Sequence, residues 1–296
     1  MTRDEIRNLQ KRNKAYWRRR EMRQRAKLYD KTVTDLDTEL GKQYMRVGKD
    51  LKRLFVETIE ELKDADGVIM PSDLYKSERY YRLMNQVNEE LSDLALKQTK
   101  AIESGLVTCY EEQSIMLARE MNTFGLYAAI DKNAAKTVIR EIWCNDGRGF
   151  SDRIWRNKDI LVERLEQSLF DFVSRGQPTR TIGYENGKPT GVMFDLISDQ
   201  TGLPTSELTN ILDDDFRTAY NNARRLVRTE TAHVQNRATQ DRYREAGFTK
   251  YRILAEPDCC DVCADLQEQV FDIDDLVLPA HPNCRCAMVA ITESLQ

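Results

Sequence analysis

Two short groups of cysteine and histidine residues near the C-terminus carry the most specific chemical signal in the sequence. Cys260 and Cys263 form a Cys-x2-Cys pair, and His281, Cys284 and Cys286 follow after a loop. Thiolates and imidazole nitrogens are the ligands that Zn²⁺ prefers, and a Cys-x2-Cys turn commonly supplies two of them. The spacing therefore predicts a zinc site that combines the two groups.

These two groups offer five ligands for four positions. We favour Cys260, Cys263, His281 and Cys284, because each pair then has two intervening residues, although Cys286 could replace either ligand of the second group. A catalytic zinc needs an open coordination position and a general base. The chain has only two histidines and no His-Glu-x-x-His motif, so the sequence predicts a closed, structural Zn²⁺ site.

The remaining cysteines fit this interpretation. The chain has seven, of which Cys109 and Cys144 stand alone in the sequence and Cys259 is the weakest ligand candidate of the C-terminal group.

No segment approaches the run of about 20 apolar residues that a membrane span requires, and the N-terminus lacks the apolar core of a secretory signal. We therefore expect a protein made and used in a cytoplasm, where clustered cysteines favour metal binding over disulfides.

The N-terminal segment is strongly basic. Residues 1–31 hold twelve Lys and Arg against four Asp and Glu, a net charge of +8, although the whole chain carries −4. Such a cluster beside Tyr16 and Trp17 could neutralise phosphates, and the alternative is a solvated helix face. No base-reading motif is visible, so any binding would be independent of sequence. The candidate residues are Arg18, Arg19, Arg20, Arg23, Arg25 and Lys27.

The elements that must position these residues are mainly helices. Gly and Pro are few, and apolar residues recur three or four residues apart between residues 32 and 62 and again between 158 and 175. Turn signals at Gly105 and Gly125 divide the predicted helices of the first half, whereas Asn186-Gly187 indicates a hairpin or, equally, a loose loop. Short strands are predicted after Gly247. The fold class is therefore mainly α, an N-terminal helical bundle or stalk followed by an α+β C-terminal module with a small zinc-stapled β region.

Composition shifts divide the chain into three predicted parts. Residues 1–31 form a basic helical arm, residues 32–144 a helical bundle or stalk, and residues 145–296 a C-terminal module that contains a zinc-binding subdomain at 248–291. The last boundary rests on the turn-forming run NDGRGFSD, which begins at Asn145.

A long helix predicted from Asp214 to Ala246 carries the string Arg228-Thr-Glu230. Two functions are conceivable for this pair of charges. An ADP-ribosyltransferase uses an Arg and a Glu, but it distributes them over strands. An ion pair within the helix or with a neighbouring helix is therefore the favoured interpretation.

Taken in order, several motifs resemble the head-morphogenesis, Mu F-like minor head proteins of tailed bacteriophages, over about residues 145–291. The most specific of them is the ending His281-Pro-Asn-Cys284-Arg-Cys286 preceded by Cys260-x2-Cys263, and the others are Ser151-Asp-Arg153-Ile-Trp155, Arg228-Thr-Glu230-Thr and Gly247-Phe.

This resemblance implies a minor component of the phage head, assembled into the procapsid in a host cytoplasm and then part of the virion. The implied partners are the portal protein and the major capsid or scaffold proteins. Some family members are thought to bind double-stranded DNA or to affect its exit. No catalytic residue is implied, so we expect no enzyme, no small-molecule substrate and no membrane. The alternatives are a zinc-dependent nucleic-acid-processing enzyme and a DNA-binding module.

Overall fold

A computed structural model describes residues 3–63, 69, 71–123, 125–126, 133–144, 146–175, 180–185, 188–194, 205–256 and 259–291. Side chains at positions 3–21, 71–73, 123, 175, 180–194 and 205–206 lie outside that description. Within these ranges the chain is mainly helical, with a small sheet near the C-terminus, so the predicted fold class is confirmed.

Seven helices lie in the described part of the chain. They are α1 (Arg3–Leu62), α2 (Pro71–Lys76), α3 (Glu78–Thr123), α4 (Ala134–Arg140), α5 (Phe150–Arg175), α6 (Thr205–Glu245) and α7 (Asp261–Leu266). None of these helices combines the length with the apolar composition that crossing a membrane requires.

Helices α1, α3 and α6 are longer than the sequence predicts. In α3 the predicted turn at Gly105 is wrong, because this glycine lies inside the helix. Its role is close packing, since a Cβ atom there would lie 2.9 Å from Cδ2 of Leu36 on α1. Gly125 does form the predicted turn after α3, with φ at +76°.

The end of α6 follows the sequence prediction. Gly247 has φ at +85°, its N–H donates to the carbonyl of Arg244, and the N–H of Phe248 donates to the carbonyl of Tyr243. These two bonds define a Schellman motif, which satisfies the last carbonyls of the helix. The rings of Tyr243 and Phe248 meet edge to face, with their centroids 5.6 Å apart. The motif turns the chain directly into the small sheet.

Two antiparallel β structures are present in the described residues. The predicted hairpin is confirmed by β1 (Arg180–Glu185) and β2 (Lys188–Phe194), in which Glu185 lies opposite Lys188. The second structure is a three-stranded sheet with the order β4-β3-β5. Its strands are β3 (Lys250–Leu254), β4 (Val270–Asp272) and β5 (Ala287–Ala290).

One face of this sheet lies in a hydrophobic core that also contains the metal-ligand candidates. Tyr251 and Ile253 of β3 are fully buried, and the core includes Leu117 and Met121 of α3. Cys263, Cys284 and Cys286 belong to the same cluster of buried residues. The loops that carry these cysteines therefore pack against the sheet.

The chain forms two compact units that are each assembled from separate segments. Unit 1 contains Met1–Leu40, Gln98–Arg153 and Ala223–Gln296, and unit 2 contains Gly41–Lys97 and Ile154–Asn222. Both units draw on residues before and after position 145. These units are not continuous ranges of the chain, so they do not test the sequential division at 1–31, 32–144 and 145–296, which stays a prediction.

Candidate metal centre

The first ligand pair lies at the start of the short helix α7. Cys260 is the residue before the helix and has an extended backbone, and Cys263 lies in the first turn. The N–H of Ala264 donates to the carbonyl of Cys260 at 2.9 Å, which closes the turn between the two cysteines. The Cys-x2-Cys spacing is thus held by the beginning of a helix.

The second ligand group begins with a tight turn. The N–H of Cys284 donates to the carbonyl of His281 at 3.1 Å, and Asn283 has φ at +64°. Pro at the second position and Asn at the third are typical of a type II turn, which requires positive φ at its third residue. The N–H of Asn283 also donates to Oγ1 of Thr229 at 3.0 Å, so α6 holds this turn in place.

The two groups meet around the ring of His281. Its Nε2 atom lies 3.2 Å from Sγ of Cys260 and 3.1 Å from Sγ of Cys263, while Cys263 and Cys284 bring their sulfur atoms to 3.6 Å. Tetrahedral zinc with ordinary bond lengths would place S and N about 3.6 Å apart and two sulfurs about 3.8 Å apart. The spacing of the side chains therefore fits one metal ion.

Cys263 belongs to two possible ligand groups. One contains Cys260, Cys263 and His281, and the other contains Cys263, Cys284 and Cys286. Within each group the ligand atoms lie within 4.8 Å of one another. The five residues that the sequence selects are thus brought together, and their cluster could hold a metal ion.

The ring of His281 is oriented for ligation. Its Nδ1 atom lies 2.8 Å from the carbonyl oxygen of Pro282. Because a carbonyl only accepts, this contact assigns the proton to Nδ1 and leaves a lone pair on Nε2, which faces the thiols. A histidine that ligates a metal commonly donates its other N–H in this way.

The thiols of the cluster shift one another's protonation. A hydrogen bond from the Cys286 side chain lowers the pKa of Cys284, whereas burial raises the pKa of Cys263. The pKa of Cys286 is raised by its hydrogen bond with Cys284 and by burial. A bound cation would favour deprotonation of these thiols.

The other cysteines lie outside both ligand groups among the described residues. Cys259 packs at the margin of the hydrophobic core. Cys109 lies in α3, and burial raises its pKa to about 12. Burial also raises the pKa of Cys144, which precedes α5. In the part of the chain that the structure describes, none of the three belongs to a group that could hold a metal ion.

Glu230 forms the interhelical ion pair that the sequence suggests as one use of the Arg-Thr-Glu string. Its partner is not Arg228 but Arg153 of α5, with Arg153 Nη1 donating to Glu230 Oε1 at 3.0 Å. The indole N–H of Trp143 donates to Oε2 of the same carboxylate at 3.0 Å. Burial raises the pKa of Glu230, which is only 3% exposed, and the two donors oppose that shift.

Sequence reasoning does not single out Trp143 and Asp146, which complete this cluster. Asp146 accepts from Arg153 Nη2 at 2.7 Å, and Arg153 accordingly holds the pKa of Asp146 below its usual value. Both residues lie on the segment between α4 and α5, and no spacing in the sequence links them to Glu230. The turn-forming composition of this segment is the only local feature of the sequence that draws attention to it.

The predicted basic residues have different environments where the structure describes them. Arg23 and Lys27 are exposed on α1, whereas Arg25 is only 6% exposed and donates to Oδ1 of Asn236 at 2.9 Å. The side chains of three further candidates lie outside the described residues, namely Arg18, Arg19 and Arg20. Arg25 is thus engaged inside the protein, which leaves Arg23 and Lys27 as surface cations.

A comparison with protein families finds a match over the region that contains this site. Residues 199–289 match the family described as Phage Mu protein F like protein, and this range contains α6, β3, β4 and all five ligand candidates. Comparisons with curated proteins and with solved structures found no match. Over residues 199–289, the chain is thus similar to the Mu F-like family, in agreement with the resemblance of its motifs to phage head morphogenesis proteins.

Proposed function

We propose that this protein is a minor head protein of a tailed phage, assembled into the procapsid near the portal and retained in the virion. The family match over residues 199–289 is the observation that carries this proposal. Head morphogenesis implies other head proteins as partners, and the portal and the major capsid or scaffold proteins are the specific candidates. A role in head assembly or in DNA ejection would follow from that position.

Purified heads provide the test. Procapsids and virions of the phage that encodes this chain would be analysed by quantitative mass spectrometry, with the portal and major capsid proteins as references. We expect the protein in both particles at a copy number far below that of the major capsid protein. Its absence from both would contradict the proposal.

The metal that we propose for the Cys/His cluster is Zn²⁺ in a structural role. The ligand groups in the described residues consist of thiols and one imidazole, which suit zinc, and they contain no carboxylate. Cys260 and Cys263 would supply two ligands, and two of His281, Cys284 and Cys286 would complete the site. Zinc there would join α7 to the turn before β5.

Elemental analysis of two variants distinguishes the ligand sets. If Cys260, Cys263, His281 and Cys284 bind the ion, Cys286→Ser keeps one zinc per chain. His281→Ala would then lose the metal or bind it much more weakly. If Cys286→Ser instead loses the zinc and His281→Ala keeps it, Cys286 is a ligand and His281 is not.

A catalytic role for the zinc is the alternative, and the geometry favours the structural one. Cys263, Cys284 and Cys286 are buried in the core of the small sheet, which leaves little room for a substrate. Incubation of zinc-loaded protein with single- and double-stranded DNA tests the alternative, and we expect no cleavage. Cleavage that Cys263→Ser abolishes would contradict the structural role.

We further propose that the N-terminal segment contacts DNA without reading its sequence. Twelve Lys and Arg within residues 1–31 support this proposal, together with the exposed positions of Arg23 and Lys27. Replacing Arg18, Arg19 and Arg20 by Gln should weaken duplex binding and reduce the slope of log affinity against log salt, by about 0.9 for each phosphate that is no longer neutralised. Salt-independent binding would contradict the proposal.

A further inference from the structure

The backbone carbonyl of Cys286 is held by two side chains from distant parts of the chain. Arg25 of α1 donates to this oxygen through Nη2 at 3.4 Å, and Asn236 of α6 donates through Nδ2 at 3.2 Å. Arg25 Nη2 also donates to Oδ1 of Asn236 at 2.9 Å. The Arg25 guanidinium, the Asn236 amide and the Cys286 carbonyl thus form a triangle in which each group contacts the other two.

This triangle is buried and supported from both helices. Asn236 is 0% exposed, and its Nδ2 also donates to the carbonyl of Ala232 one turn earlier in α6. Gln235 Nε2 donates to the backbone carbonyl of Arg25 at 3.2 Å. Side chain and backbone of Arg25 are therefore both fixed against α6, so that its guanidinium has a defined position.

Helix α1 also contacts the residue between the two C-terminal cysteines. Arg285 donates to Asp30 Oδ1 at 2.9 Å, and its guanidinium carbon lies 4.7 Å from the centre of the Tyr29 ring. The Cys284-Arg285-Cys286 segment is thus fixed by α1 at two consecutive residues. A ligand loop held in this way has little freedom to rearrange.

We propose that Arg25 and Asn236 are positioning residues of the metal site. They hold the Cys286 carbonyl and so fix the direction in which the Cys284–Cys286 segment presents its thiols. Outer partners of metal ligands typically contribute 10- to 100-fold in metal affinity. Arg25 lies far along the chain from Cys260, the first ligand, so the N-terminal helix would be part of the zinc site.

This coupling must act in both directions. If docking of α1 tightens metal binding, then bound metal strengthens the docking of α1 by the same factor. The inference rests on the zinc site proposed above. It predicts that the part of α1 around Arg25 becomes more exposed to solvent when the metal is removed.

The test measures zinc release from the full-length protein into an excess of a chromogenic chelator. Asn236→Asp keeps the acceptor for Arg25 but removes the donor to Cys286, and Arg25→Ala removes the guanidinium. We expect both to release zinc at least tenfold faster than the wild type, with Arg25→Lys falling between, on the order of the effects of such outer partners. Arg23→Ala, two residues away and exposed, is the matched control and should release zinc at the wild-type rate.

Far-UV circular dichroism checks the fold of each variant, and Asn236→Asp carries the test if Arg25→Ala does not fold. Hydrogen exchange on the wild type gives an independent readout, with faster exchange of residues 22–40 expected after chelation. Folded variants that release zinc at the wild-type rate would overturn the role of Arg25 and Asn236. A wild-type protein without zinc would instead overturn the zinc proposal itself.

Discussion

At the scale of single residues, His233 on α6 is buried without any hydrogen bond from its ring among the described residues. It is 2% exposed, and its ring stacks on Trp143 with centroids 4.2 Å apart and planes 7° from parallel. Burial lowers its pKa to about 3, and the charges of Arg237 and Arg153 act in the same direction. The neutral imidazole therefore serves as a flat ring in the core.

Because of this lowered pKa, the free energy of unfolding depends on pH. The unfolded chain takes up a proton on His233 below about pH 6.5, whereas the folded chain does so only near pH 3. Stability from this group is complete above pH 6.5 and is lost as the pH falls, by up to about 1.4 kcal/mol per pH unit. In His233→Phe that part of the loss should disappear.

Urea unfolding of the wild type and of His233→Phe at pH 7, 6, 5 and 4 provides the measurement. The difference between the two curves isolates His233, because acid release of a metal would affect both proteins equally. Parallel stability curves over this pH range would contradict the buried, neutral imidazole.

Glu230→Gln removes a buried charge but keeps the shape of the side chain. An amide accepts through only one of its two end atoms, so either Arg153 or Trp143 loses its acceptor. Breaking a buried ion pair costs about 3–5 kcal/mol, and we expect about 2–3 kcal/mol because Arg153 keeps Asp146. Denaturant unfolding measures this loss.

The exposed partner supplies the control. Asp146→Asn should have a much smaller effect, because an exposed ion pair contributes little. If Glu230→Gln and Asp146→Asn lower the free energy of unfolding equally, burial of Glu230 does not determine how much its ion pair with Arg153 contributes.

The sequence predicts local sites better than distant pairs. The five metal-ligand candidates follow from two short spacings, each of which a single turn can realise, and the structure brings them together. Arg153 and Glu230 lie 77 residues apart, and no local signal predicts their contact. The burial of Arg25 is hidden for the same reason, since its acceptors on Asn236 and Cys286 lie 211 and 261 residues away.

At the scale of elements, sequence reasoning finds the helices but divides them too often. Gly105 is a helix breaker by propensity, costing about 1 kcal/mol relative to Ala, yet α3 passes through it because the side chain of Leu36 occupies the space beside it. Packing between helices, which local propensity does not contain, decides the continuity of α3. The hairpin and the end of α6 were predictable because their turns are local.

Gly105→Val tests this packing. Its Cβ would lie 2.9 Å from Leu36, so we expect a destabilisation of about 1–3 kcal/mol, although valine has a higher helix propensity than glycine. Ser104→Val, at the exposed neighbouring position, measures the effect of a valine in the same helix without this close contact. Denaturant unfolding of both variants gives the comparison, and equal losses would show that the approach of α1 to α3 is not tight.

At the scale of the whole molecule, unit 1 joins both ends of the chain. It contains residues up to Leu40, the second half of α3, and the C-terminal segment from Ala223. Composition shifts, which follow the chain, cannot predict such an arrangement, because the segments meet only through tertiary contacts. The cysteine cluster therefore belongs to a unit that includes the N-terminal helix, and loss of a metal there should affect more than the C-terminal segment alone.

In the proposed structure of the metal site, one Zn²⁺ holds the Cys/His cluster together and stabilises the adjoining C-terminal sheet. The most direct measurement is the zinc content of the full-length protein, combined with thermal unfolding before and after chelation. Cys263→Ser removes the residue shared by both ligand groups, and Cys259→Ser, outside both, is the matched control.

We expect one zinc per chain in the wild type and in Cys259→Ser. Cys263→Ser should lose the ion, and residues 248–291 should become sensitive to proteolysis, because structural zinc contributes roughly 10–16 kcal/mol to the folding of small zinc domains. A wild-type protein that contains no metal, and whose thermal unfolding is unchanged by chelator, would contradict the proposed structural zinc.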